Sequence, residues 1–292
     1  MNKTLKFLII TFAAAWVLQI VSASTGLVLL NSVVMLMPML AVWIVSGGLK
    51  KEKSGVAWKP RVRGNVKNYL IAWWSPLFIM LAGAALYFLL FPARFDSGCG
   101  FLTAQLPELE FYSMPAYLLV ILQTVSGVTY GPFINMFFAV GEEAGWRGYL
   151  TPALTERFGK KKALILSGCI WGAWHWPLII LTGYEYGIGY WGFPVTGMLC
   201  MLLFTTAFGV LLSWLYEKSG SIWPCALCHG AANAIAGAPL YFLPAGVTSY
   251  LLGPTFAGLI GGIPLLIAAA YLLTAKGFGD NMAGTGFDGE TR

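Results

Sequence analysis

The stretch YLIAWWSPLFIMLAGAALYFLLF, Tyr69–Phe91, contains no charged side chain. At 1.5 Å per residue a helix of this length reaches roughly 35 Å, enough to cross a hydrocarbon core of about 30 Å. The rest of the chain has the same character. Of its 292 residues, 58% are hydrophobic and 10% charged, against about 25% charged in soluble domains. Mean hydropathy is +0.73. The expected fold class is therefore all-α, a polytopic transmembrane helix bundle.

Working outward, the sequence offers eight candidate spans. They are Phe7–Ala23, Leu27–Ser46, Tyr69–Phe91, Ala116–Val140 continuing to about Leu150, Ala163–Leu181, Phe193–Tyr216, Ser221–Gly237 and Leu251–Ala275. No internal repeat is evident. Residues 1–275 read as a single transmembrane domain. Residues 276–292 are polar and Gly-rich and read as a disordered cytoplasmic tail. The N-terminal run has the lysines and small residues of a signal peptide. A second apolar run follows it at once, so it reads as the first span.

The net charge is +6, but the basic residues sit in short loops between apolar runs. That pattern sets membrane orientation and gives no reason to expect nucleic acid. The loop Lys50–Lys67 holds Lys50, Lys51, Lys53, Lys59, Arg61, Arg63 and Lys67, and a second loop holds Arg157, Lys160, Lys161 and Lys162. Eight spans place both loops and both termini on one side, the cytoplasm. The opposite side has Arg94 against Asp96, Glu108, Glu110 and Glu185. The five cysteines are too few for a disulfide scaffold, and most lie in apolar runs.

Against this background, Gly141–Leu150, GEEAGWRGYL, places two carboxylates and an arginine deep in a span. Glu142 precedes the loop residue Glu156 by about 20 Å of helix. The only two histidines fall at comparable depth: His175 is about 18 Å past Ala163, and His229 about 12 Å past Ser221, with Asn233 one turn deeper. Buried charge is expensive in lipid and points to function. Each element also has a structural reading. Glu143 and Arg147 make an i, i+4 pair, and the histidines or Asn233 can serve as interhelical polar contacts.

Taken together, three polar positions at one depth suit hydrolysis. A carboxylate and an imidazole can hold and deprotonate water, while a second imidazole and an amide can donate to the oxyanion. No covalent nucleophile stands out. Cys225–His229, CALCH, matches a haem-attachment string, but it lies inside a span. A His₂Glu zinc set is the other chemistry these residues allow, and it stays open at this point.

The same residues resemble the type II CAAX prenyl endopeptidases and their bacterial relatives, the CPBP (Abi) membrane proteases. The pattern is EExxxR, FxxxH and HxxxN or HxxxD on three separate helices. Glu142, Glu143 and Arg147 match the first. Trp171-Gly-Ala-Trp-His175 matches the second, with Trp171 in place of the usual Phe. His229-Gly-Ala-Ala-Asn233 matches the third. The resemblance covers roughly Tyr69–Gly237, and an archaeal homologue would have this appearance. It implies Glu142 as general base, His175 as a second holder of the water, and His229 and Asn233 as the oxyanion site. Glu143 and Arg147 would be a supporting pair. It implies no metal and no other cofactor.

The implied reaction is cleavage after a prenylated cysteine, releasing the last three residues of a CAAX protein at a site facing the cytoplasm. The implied partners are a prenylated protein or peptide and membrane lipid, with no nucleic acid. Two rival readings are a relative with a leader or bacteriocin-type substrate, and a transporter or receptor using the same buried groups. The lack of a repeat pair weighs against the transporter.

Overall fold

The first helix, α1 (Lys3–Thr25), begins where the Asn2 side chain accepts from the Thr4 N–H. It ends at Gly26, whose φ of 72° lies in the left-handed region that glycine adopts without strain. The computed structural model describes residues 2–106, 115–275 and 278. The further helices that frame the protein are α2 (Leu29–Val34), α3 (Met37–Ser46), α4 (Val66–Leu90), α5 (Ala116–Val128), α6 (Gly131–Gly145) and α7 (Thr151–Phe158). They continue with α8 (Lys160–Trp174), α9 (Trp176–Thr182), α10 (Val195–Ser219), α11 (Ile222–Ile235) and α12 (Ile263–Thr274). Among the described residues no strand forms; Gly187 and Ser249 make an isolated bridge. The expected all-helical class is borne out.

Five helical stretches are long and apolar enough to cross a membrane: α1, Leu29–Ser46, α4, Lys160–Thr182 and α10. A sixth candidate pairs α5 with the helical run Gly131–Phe158, bent by 54°. The last two expected spans are shorter as helices, with 14 residues in α11 and 12 in α12. Residues 251–262, expected to be helical, fold as turns instead. Gly253 there has a φ of 138° and Pro254 follows it, and neither favours a continuing helix. Leu29, Phe78, Leu89 and Ile267 point outward and are exposed, as lipid-facing side chains of an integral membrane protein are. Glu108, Glu110 and the expected tail 276–292, Phe278 aside, lie outside the described residues.

The two basic loops share one end of the bundle. Ile222 N–H donates to Ala57 O and Trp223 Nε1 to Trp58 O, which ties the first loop to the α10–α11 connection. Lys160 Nζ lies 2.6 Å from Glu217 Oε2 and 3.9 Å from the Phe278 ring centroid. Asn2 and Thr4 border the same hollow as Glu156 and Arg157. At the other end, Asp96 N–H donates to Phe242 O and Ile188 N–H to Thr248 O.

In the centre, α11 packs closely on α6, and α8 on α10. Small residues permit this approach where helices lack a hydrophobic driving force. A Cβ at Gly230 would lie 2.5 Å from Met136 N and 2.6 Å from Pro132 O. Only glycine fits there, and its neighbour in sequence is His229.

Candidate active site

Helix α6 delivers Glu142 and Glu143 just before it widens into a π-helical turn, Trp146–Leu150. Such turns are rare and recur at functional sites. The two carboxylates point to different partners. Arg147 donates through Nε and Nη2 to the two oxygens of Glu143 in a fork. Glu143 is fully buried and Arg147 is 2% exposed. A third group completes this cluster from α11: His229 Nδ1 lies 2.7 Å from Glu143 Oε1.

Glu142 is buried too, but among the described residues it forms no ion pair. Its Oε2 accepts from Trp171 Nε1 at 2.6 Å and from Trp146 Nε1 at 3.2 Å. Its Oε1 takes no hydrogen bond from any described residue. Trp146 is four residues on, one turn along the same helix, and Trp171 arrives from α8.

Trp171 is where the three motifs meet. Arg147 sits over its ring at 4.1 Å. The His229 ring is 5.4 Å from it and the His175 ring 6.1 Å. Its carbonyl is 3.0 Å from His175 Nδ1. A carbonyl can only accept, so His175 Nδ1 carries the hydrogen. Neutral His175 then presents Nε2 as an acceptor. The break between α8 and α9 falls at His175.

Tyr184 stacks on His175, with ring centroids 5.9 Å apart and 3° between planes. Burial, then the Glu185 and Glu142 charges, push its hydroxyl well above the usual tyrosine range, so it stays a neutral donor. Asn233 lies one turn beyond His229 on α11 with its side chain exposed.

The structure thus brings Glu142, His175, His229, Glu143 and Arg147 around one indole, and leaves Asn233 at the edge of the cluster. The cavity of about 890 Å³ near Arg94, Tyr190 and Trp191 is lined by none of these six. Among the described residues, no three His, Cys, Asp or Glu side chains are arranged to hold a metal ion. Cys225 and Cys228, the cysteines of the haem-like string, are buried within α11.

All six positions lie within residues 124–235, which match the family model described as type II CAAX prenyl endopeptidase Rce1-like. This region is similar to that family. A stretch of 88 residues is also 34% identical to CAAX prenyl protease 2 of the archaeon Methanococcus maripaludis. That stretch is 30% of this chain and spans about a third, 32%, of the relative's length. The resemblance read from the three motifs is borne out.

Within the Rce1-like region, the sequence places Glu143 opposite Arg147, which the structure bears out. Sequence reasoning misses the indole donors to Glu142 and the Tyr184 stack. Trp146 lies at i+4 from Glu142, a spacing that signals a shared helix face. Trp171 comes into view in the sequence only as a substitution for Phe. Tyr184 stands in a Gly-rich connection where no periodicity marks it.

Proposed function

We propose that this chain is an intramembrane endopeptidase that cleaves after a prenylated cysteine and releases the C-terminal tripeptide of CAAX proteins. The observation that carries this reading is the convergence of Glu142, His175 and His229 on Trp171, within the Rce1-like region. The relative's name supplies the substrate class.

In this reading Glu142 Oε1 takes a proton from water, while His175 Nε2 accepts the other O–H and fixes its direction. The hydroxide adds to the scissile carbonyl. His229 and Asn233 donate to the oxyanion. Glu142 then returns its proton to the leaving amine, and the peptide bond breaks. His229 already gives Nδ1–H to Glu143, so its Nε2 can donate only as an imidazolium.

Residues 1–275 act as one protease unit, with eight spans and both termini in the cytoplasm. The site opens to the cytoplasm, so the peptide enters from there and the prenyl chain from the bilayer. The basic loops at one end support this orientation. The test is purified protein with a fluorogenic farnesylated CAAX peptide, alongside its unprenylated counterpart. Cleavage of the first and not the second is expected. Cleavage of leader peptides instead would move the chain to the rival protease reading.

A further inference from the structure

Two indole N–H groups from different helical segments converge on one oxygen of one buried carboxylate. Trp171 Nε1 is 2.6 Å and Trp146 Nε1 3.2 Å from Glu142 Oε2. Trp146 is fully buried and Trp171 is 2% exposed, so water does not replace either donor. We infer that Trp171, assisted by Trp146, is a positioning residue that holds the Glu142 carboxylate turned, with Oε1 as its basic edge. The inference rests on the reading of Glu142 as the general base.

The physical case has three parts. A buried carboxylate that is bonded to no cation draws on the hydrogen bonds to its charged form. The ionisable groups around Glu142 are Glu143 beside it, Arg147 on the π turn, His229 on α11, His175 after α8 and Tyr184 beyond α9. Arg147 and His229 are bonded to Glu143, so the side-chain hydrogen bonds that Glu142 itself accepts come from the indoles. Second, both donors use Oε2. The carboxylate cannot rotate without breaking two bonds, and this pins Oε1 in place. Third, Phe at 171, the residue the motif pattern carries, would keep a ring for Arg147 and His229 but supply no N–H. The donor is therefore a feature of this chain, separable from the packing.

The experiment compares wild type, W171F, W146F and E142Q as full-length protein in detergent, on the farnesylated peptide, across pH. Melting is followed for each. W171F is expected to fold, to lose about ten-fold in kcat at neutral pH with KM little changed, and to regain activity as pH rises. The acid limb of its profile moves to higher pH, because fewer donors stabilise the carboxylate. W146F, whose bond is longer, moves the same way by less. A folded W171F with the wild-type kcat and acid limb, beside an inactive E142Q, overturns the inference and leaves the base reading standing. An active E142Q overturns the base reading itself. If W171F does not fold, W146F decides: a displaced acid limb supports the inference and a wild-type profile overturns it.

Discussion

His229 Nδ1 lies 2.7 Å from Glu143 Oε1, on the same carboxylate that receives the Arg147 fork. One buried anion therefore joins the first motif to the third across the α6–α11 contact. Taking Glu143 away leaves Arg147 buried without a counter-charge, which costs about 3–5 kcal/mol. Glu143→Ala is expected to lower the melting temperature sharply and to remove activity with it. Arg147→Ala should do the same, and the double variant should melt above either single one. Thermal melts of the three variants check this; additive losses would show that the pair is not coupled.

Gly230 fixes how near α11 comes to α6. A Cβ at this position would press on Met136 N and Pro132 O, backbone atoms that cannot swing aside. Gly230→Ala is expected to cost stability by overpacking, about 1–3 kcal/mol, and to cut kcat by displacing His229. Melting and kcat of Gly230→Ala together test this, and a variant with native values for both would contradict it.

How much of this is legible in the sequence follows from the kind of signal each feature leaves. Charges in an apolar span stand out by composition, so Glu142, Glu143, Arg147 and both histidines are visible there. Depth along a helix follows from rise per residue, so their convergence can be anticipated. Tryptophans in an apolar span carry no such contrast: the indole N–H of Trp171 matters through one hydrogen bond that only tertiary packing creates. The final span departs from expectation in its first half, because residues 251–262 are apolar enough to read as helix while Gly253 and Pro254 favour turns. Hydropathy measures burial in lipid, not backbone conformation.

Asn233 is exposed, so its substitution has little packing to disturb. Asn233→Ala is expected to leave the melting temperature unchanged and to lower kcat by about 10²–10³, the loss typical of one oxyanion donor. Activity and melting of this variant check the role. A mild loss equal to that of a neighbouring surface change would remove Asn233 from the oxyanion site.

Activity is expected to be independent of metal. A catalytic zinc needs three protein ligands and an open position, and ligating histidines usually pass their second N–H to a carboxylate or carbonyl. Glu143 is committed to Arg147 as well as to His229, and Glu142 to two indoles. Dialysis against a strong chelator, with elemental analysis before the assay, should leave cleavage unchanged. Loss of activity with the metal, and its return on adding zinc, would make His175 and His229 ligands instead.

Glu142 is proposed to activate the water. The most direct test of this role measures tripeptide release from a farnesylated CAAX peptide by wild type and by Glu142→Gln, a change that keeps size and the two indole contacts. Release by wild type and none above background by Glu142→Gln is expected, with both proteins melting at similar temperatures. A folded Glu142→Gln protein that still releases the tripeptide would contradict it.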